Sequence, residues 1–337
     1  MKKRSQYIKE YNVPDVMAMV RNNRRDPKIC EDAFTDKLVV ITGATSGIGY
    51  FTARKYASKG ANLLCINRNL QKSETLKAEI EKEFKVQCDY KIADLSNMQE
   101  VHQVAEELRN IITPIDVLIH NAGIFLKKRE LTPEGIDKVF MVQHLSSFII
   151  NFILMEKMKS QDKARIIMVN SEGHRFAAWG LKMEDLNWEK RRYSGLKSYG
   201  SAKLAQLLSM IVFQEYYTGT GVTINAMHPG AVKSETGQEN GALYRWYKKH
   251  IFDKTLRPTD VAAEALYYLG VSKEVDGVSG KFFNLTREEI PAPPALDQEA
   301  ASELWEKSLE FARLPESMLK NLKQVSKKTA VRQKKYG

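Results

Sequence analysis

Cysteine is scarce in this 337-residue chain: Cys30, Cys65 and Cys88 are all there is, and their spacing is not that of a metal site. An odd, sparse set excludes a disulfide framework and indicates a reducing compartment. An apolar leader is missing too. The N-terminus reads MKKRSQYIKEYNVP, with none of the hydrophobic core of a signal peptide. No uninterrupted stretch reaches the roughly 18 apolar residues of a membrane span. The chain is therefore expected to be cytoplasmic. Linkers are lacking between residues 36 and 290, and no repeat stands out beyond an alternation of strand and helix. What is present, 43% apolar and 28% charged residues, is a globular composition long enough to bury a substantial core.

The formal net charge of +11 is not spread evenly. Residues 1–30 hold +5 and residues 318–337 hold +7, which leaves the body, 31–317, near −1. Basic ends of this kind suit an anionic membrane surface or nucleic acid, but they are more often solvated helix faces. No aromatic platform or nucleic-acid motif accompanies them, so no nucleic-acid partner is expected.

The stretch KLVVITGATSGIGYFTARKYASKGANLLCINRN reads as strand, glycine loop, helix, strand. Strands are predicted at 38–42, 62–66, 86–92, 115–120, 164–170 and 222–227, with GKFF as a short last one. Helices are predicted at 48–58, 71–83, 97–110, 132–158 (open to a break), 196–217 and 258–271. Near-continuous apolar strands joined by helices imply an α/β fold, a single Rossmann-type doubly wound, mainly parallel sheet with flanking helices. The expected division is a basic N-terminal extension (1–35), a dinucleotide-binding and catalytic domain (36–290), and a C-terminal helical extension with a basic tail (291–337). In that last segment Leu304, Trp305 and Leu309 lie on one helix face and are expected to pack on the body.

TGATSGIG places Gly43, Gly47 and Gly49 between the first strand and its helix. Gly43 permits a tight turn, Gly47 a close approach to a pyrophosphate, and Gly49 tight packing of helix on sheet, with the phosphates over helix N-terminal amides. At the end of strand two, where a carboxylate would bind the ribose of NAD, the chain has Asn67 and then Arg68. A guanidinium pairs with phosphate, which favours NADP(H) while leaving NAD(H) possible. Asp94, after the third strand, is placed for the adenine amino group or as the cap of the next helix, a role for which Ser96 competes.

In SYGSAKLA, Tyr199 and Lys203 lie one helical turn apart. Hydride transfer to a carbonyl builds negative charge on oxygen, so it needs a proton donor and a second hydrogen bond. A tyrosine with a pKa near 10 is a poor donor at neutral pH, and a nearby ammonium is expected to lower it. A serine hydroxyl then polarises the substrate oxygen.

TGATSGIG, the DL at 94, HNAG at 120–123, a serine at strand five and YGSAK, in that order, resemble the short-chain dehydrogenase/reductase family. The spacing is similar to its retinol-dehydrogenase-like branch. The resemblance implies that Gly43, Thr45, Ser46, Gly47, Ile48 and Gly49 line the cofactor, with Arg68, Asp94 and Leu95 on its adenosine side. It implies that Asn121, Ala122 and Gly123 lie beside the adenine ribose, and that Ser171, Tyr199 and Lys203 are catalytic. Pro229, Gly230, Val232 and Ser234 correspond to the segment meeting the nicotinamide, with Ser234 in place of the usual threonine.

The chain departs from the branch at one position. Where the pattern has VNHLGHF, whose Asn helps hold a relay water, this sequence has VQHLSSF, so Gln143 occupies that place. The added methylene moves the amide by about 1.5 Å. Gln143 either substitutes with adjusted packing, yields the role to His144 or a water, or slows turnover. Two readings follow: an NADP(H)-dependent carbonyl or alcohol oxidoreductase, and a cofactor-binding scaffold or regulator with little turnover. Phe176, Trp179, Leu181 and Trp188, with Leu243, Tyr244, Trp246 and Tyr247, are expected to form a lid for a hydrophobic substrate. His174 and His228 lie near the site without other ligands, so no metal is expected. Peripheral membrane contact through the basic tail and homo-oligomer formation both stay open.

Overall fold

The computed structural model describes residues 4–22, 25–230, 258–316 and 318. Two short helices come first, α1 (Arg4–Glu10) and α2 (Val13–Asn22). The alternation then runs β1 (Leu38–Thr42), α3 (Gly47–Ser58), β2 (Asn62–Asn67), α4 (Leu70–Phe84), β3 (Cys88–Ile92), α5 (Met98–Asn110) and β4 (Val117–His120). Next are the long helix α6 (Lys138–Lys159), β5 (Ala164–Val169), α7 (Gly195–Tyr217) and β6 (Val222–His228). The chain closes with α8 (Asp260–Val271), β7 (Phe282–Asn284), β8 (Arg287–Glu289) and α9 (Gln298–Ala312).

The sheet order is β3-β2-β1-β4-β5-β6-β7-β8. Every neighbouring pair is parallel except β7 and β8. Both faces are covered, which is why β1, β4 and β5 are almost wholly apolar and β6, though it carries Thr223, Asn225 and His228, is buried throughout. On one face Tyr56 of α3, Ile80 of α4 and Leu266 of α8 pack with Val39 and Ile41. On the other, Leu108 of α5, Phe148 of α6, Leu208 of α7 and Trp305 of α9 pack with Val40 and Leu118. This is the doubly wound arrangement expected from the sequence.

Two details differ from the sequence expectation, the start of one helix and an added strand, and the break left open in that helix is now defined. The helix placed at 132–158 begins at Lys138, because Thr132–Gly135 forms a turn with Gly135 at φ +82°. Asp137 then caps the helix by accepting a bond from Phe140 N. Its break is a π-turn over Met141–Leu145. β8, whose sequence is Arg-Glu-Glu, was not expected at all. By length and mean composition α6 is also long and apolar enough to cross a membrane, although polar residues interrupt it; 94% of its most apolar window is buried inside the protein.

The N-terminal helices are tied to the C-terminal part. Tyr7 is buried and donates to Asp297 at 2.7 Å, Asn22 donates to Glu289 at 3.1 Å, and Lys28 N donates to Thr286 Oγ1 at 2.8 Å. At the other end Leu304 and Trp305 are buried and Leu309 partly so, on α6 and α7. The basic tail beyond Met318 lies outside the described residues.

Candidate active site

All parallel strands end at one edge of the sheet, and their order reverses between β1 and β4. Ligands of doubly wound sheets bind at that switch point. A cleft of about 480 Å³ opens there, lined by Gly43, Ser46, Gly47, Asp94, Asn121, Gln143, Ser171, Tyr199 and Lys203 among others.

The glycine loop is shaped by what its glycines omit. Gly43 has φ +71° and Gly47 φ +55°. At Gly49 a Cβ would lie 2.1 Å from Gly43 O and 2.5 Å from Asn121 Nδ2, so only hydrogen fits. Ser46 makes no side-chain cap on α3, which leaves the amides of its first turn facing the cleft. Asn121 Nδ2 donates to Thr42 O and Gly43 O, and Thr42 Oγ1 accepts from the amides of Asn121 and Ala122. The loop is thereby fixed to the end of β4.

Asn67 closes the other side. Its Oδ1 accepts from Ala44 N at 2.8 Å, and its buried Nδ2 has no partner. Arg68 is exposed at the mouth, where Lys72, which sequence reasoning did not single out, joins it. Asp94 Oδ1 accepts from both the amide and hydroxyl of Ser96. Neither residue caps α5: Asn97 does, through Gln99 N and Glu100 N. Asp94 and Leu95 line the cleft, as do Thr45, Ile48, Ala122, Gly123, Pro229 and Gly230. Val232 and Ser234 lie outside the described residues.

Ser171 follows β5 in an extended conformation, and its hydroxyl accepts from Gly173 N at 2.9 Å. Tyr199 and Lys203 project from the second and third turns of α7. Lys203 Nζ lies 5.9 Å from the Tyr199 ring centroid and donates to Val169 O at 2.7 Å. Two positions not singled out from the sequence bring these groups together. Asn170, buried, donates to Lys203 O and Gln206 Oε1 and accepts from Ser171 N, binding the end of β5 to α7. A Cβ on Gly173 would lie 2.6 Å from Tyr199 Cε1 and 3.2 Å from Ser171 Oγ. Its signal in the sequence was no more than a glycine two residues after the serine.

The electrostatics differ from the sequence expectation. Burial pushes the Tyr199 hydroxyl above its usual range, with the Ser171 hydroxyl working against that shift. Burial also pulls Lys203 down to about 7, so it is not a fixed cation in these surroundings. His174 accepts from Ala292 N at Nε2 and therefore carries its proton on Nδ1, which donates to Ser171 O at 2.7 Å. Burial lowers His174 and His228 to about 3 each, so both are neutral at pH 7. No group of three or more His, Cys, Asp or Glu fit to hold a metal occurs among the described residues.

Gln143 sits at the centre of the π-turn. Its Nε2 donates to Ile124 O at 2.7 Å, and its Oε1 is buried without a partner, close to Gly123. His144 faces away. It is fully buried between Phe140 and Phe148, with Nε2 2.9 Å from Ser308 Oγ, and does not line the cleft. It is therefore not placed to take over from Gln143. The expected lid also changes. Leu181 and Trp188 are buried packing residues, and Arg191 stacks 3.8 Å over Trp188. Phe176 and Trp179 are exposed. Leu243, Tyr244, Trp246 and Tyr247 lie outside the described residues. Phe125, edge-on to Tyr199 at 6.0 Å, adds an apolar wall that the sequence did not signal.

A dinucleotide cleft at a switch point, with a serine, tyrosine and lysine on its wall, defines a nicotinamide-dependent oxidoreductase. The profile of the short chain dehydrogenase family matches residues 37–181. Human retinol dehydrogenase 13 is 32% identical over 82% of this chain and 85% of its own length. Among solved structures, an uncharacterised protein from Mycobacterium paratuberculosis superposes with a TM-score of 0.65 at 28% identity, covering 84% of this chain and 95% of that one. A short chain dehydrogenase from Shigella flexneri 2a complexed with NADP superposes at 0.60 with 20% identity, covering 76% and 99%. The chain belongs to the short-chain dehydrogenase family and acts on CH–OH or C=O groups with a nicotinamide dinucleotide.

Proposed function

We propose that the protein is an NADP(H)-dependent oxidoreductase that interconverts a hydrophobic carbonyl compound and its alcohol, with Tyr199 as acid and base. The observation that carries this reading is the convergence of Ser171, Tyr199 and Lys203 on the cleft that also holds the glycine loop. The cleft fits a dinucleotide: a Cβ is excluded at Gly49, the first-turn amides of α3 are uncapped, and Asn67 Nδ2 has no partner. Arg68 and Lys72 at the mouth favour a 2′-phosphate, and the similar Shigella protein was solved with NADP. Phe125 beside Tyr199 and the exposed Phe176 favour an apolar substrate.

When bound, the dinucleotide supplies or accepts the hydride. In reduction, Tyr199 gives its proton to the substrate oxygen as negative charge gathers there. Ser171 Oγ already accepts from Gly173 N, so its own proton, which faces the Tyr199 hydroxyl, can be given to the same oxygen. Lys203 spends one N–H on Val169 O and turns the others into the cleft. Gln143 Oε1 offers an acceptor in the wall behind Gly123, for a water or a hydroxyl. In oxidation the same groups act in reverse.

Tyr199→Phe is expected to abolish turnover of a carbonyl panel while NADPH binding, followed by fluorescence, survives. A fully active variant would overturn the mechanism. Arg68→Ala should weaken NADPH far more than NADH, and equal effects would sink the cofactor preference. If the unaltered protein binds NADPH yet reduces none of the panel, the scaffold reading with little turnover replaces this one.

A further inference from the structure

The turn that begins at Ser171 is closed by a histidine. Ser171 O accepts twice from His174, from its backbone N at 3.1 Å and from its Nδ1 at 2.7 Å. The second bond depends on the tautomer, and the other ring nitrogen decides that. Ala292 N can only donate, and it lies 3.0 Å from Nε2, so Nε2 carries the lone pair and Nδ1 the proton. The ring is fully buried and stands edge-on to Phe282 of β7 at 5.1 Å. Burial keeps it neutral at pH 7. It is a fixed, uncharged bridge.

The far end of the bridge rests on the segment that follows β8. That segment is itself held: Arg175 donates to Ile290 O at 3.2 Å, and Tyr7 of α1 donates to Asp297 at 2.7 Å. The near end holds the Ser171 carbonyl, and its effect reaches the reacting groups through Gly173. With the turn closed, Gly173 N meets Ser171 Oγ at 2.9 Å. Gly173 also lies against the Tyr199 ring, and a Cβ on Gly200 of α7 would stand 2.7 Å from Gly173 O. The turn therefore sets both the direction of the Ser171 hydroxyl and the backing of the Tyr199 ring. His174 itself does not line the cleft, so what it does for the reaction passes through this turn.

We propose that His174 is a positioning residue for the reaction, its Nδ1–H holding the Ser171 carbonyl so that the Ser171 hydroxyl meets the substrate oxygen. This role rests on the reading of Ser171 as the second hydrogen-bond donor. Two variants separate the two ends of the ring. In His174→Asn the amide nitrogen takes the place of Nδ1 and can donate to Ser171 O, while Ala292 N loses its acceptor. In His174→Gln the amide oxygen reaches the place of Nε2 and can accept from Ala292 N, while Ser171 O loses the ring's donor. kcat should fall about tenfold to a hundredfold in His174→Gln and stay within about threefold of the parent in His174→Asn. Tm should fall by similar amounts in both, with NADPH Kd unchanged. The proposal is overturned if the glutamine variant keeps the parent's kcat or if both variants lose kcat equally. Ser171→Ala tests the underlying reading: full activity there would remove the role of Ser171 and that of His174 with it. A loss there beside a fully active glutamine variant would remove the role of His174 alone. Nitrogen NMR of the unaltered protein, carrying isotope-labelled histidine, needs no variant to fold. It should show His174 as the neutral Nδ1–H tautomer at pH 7, and an Nε2–H tautomer or an imidazolium would overturn the proposal.

Discussion

A single hydrogen atom at position 173 sets how closely Tyr199 approaches Ser171. Replacing it with a methyl would push against Tyr199 Cε1 at 2.6 Å, and the ring is also met edge-on by Phe125 at 6.0 Å. Gly173→Ala is therefore expected to lower kcat about tenfold to a hundredfold, the scale set by small misplacements at a reacting centre. NADPH affinity should be largely retained, because Gly173 does not line the cleft that holds the glycine loop. Measured kcat and cofactor Kd check this, and an unchanged kcat would show that the ring relaxes without cost. The residue scale also shows what a sequence displays. Tyr199 and Lys203 were legible because side chains four apart on a helix announce a shared face. Gly173 acts by having no side chain, and Asn170 by bonds to Lys203 O and Gln206. Neither has a pattern to read. The expected Lys203 effect on Tyr199 failed for a related reason: spacing gives proximity, but burial sets the charge on both groups.

Among the elements, α9 bears most on the site without touching it. Trp305 inserts among Phe148 and Phe152 of α6 and Phe213 and Tyr216 of α7, with ring centroids 4.9 to 6.1 Å away. Three residues on, Ser308 meets His144, the neighbour of Gln143 in the π-turn. The helices that carry Gln143, Tyr199 and Lys203 thus share one external brace. Trp305→Ala should cost about 3–5 kcal/mol of stability in denaturant unfolding, as expected for a large aromatic removed from a packed core. A loss below about 1 kcal/mol would mean that α9 is loosely seated. The packing of Leu304 and Trp305 was readable from amphipathic spacing alone. The start of α6 was not read correctly, although Thr132-Pro133-Glu134-Gly135 is a turn sequence, because the apolar residues around it masked the signal. β8 escaped notice for a different reason. Its three residues are charged, and its inward Glu289 is satisfied by Asn22, Asn284 and Arg175 rather than by apolar burial.

Across the whole molecule, both ends of the chain and its middle meet behind Ser171. Asn22 arrives from the N-terminal helix, Glu289 from the last strand, and Glu172 and Arg175 from the turn that begins at Ser171. Residues 1–35, expected as a basic N-terminal extension, carry no sign in the sequence of this convergence, which depends on contacts more than 250 positions apart. The convergence has a titration consequence. Burial, opposed by Arg175 and reinforced by Glu289, raises Glu172 to about 7. An unfolded chain releases that proton near 4.5, the ordinary glutamate value. Between these pH values the folded protein therefore holds a proton that the unfolded chain has lost. The stabilisation is complete below 4.5 and disappears as pH rises through 7. Glu172→Gln keeps the shape and a hydrogen-bonding amide but cannot titrate. Relative to the parent, its Tm should gain steadily from pH 4.5 to 7 and then level off. Tm curves for parent and variant that run parallel across this range would show that Glu172 ionises as an ordinary surface carboxylate, and that the meeting of the chain ends leaves no electrostatic mark on the turn that carries Ser171.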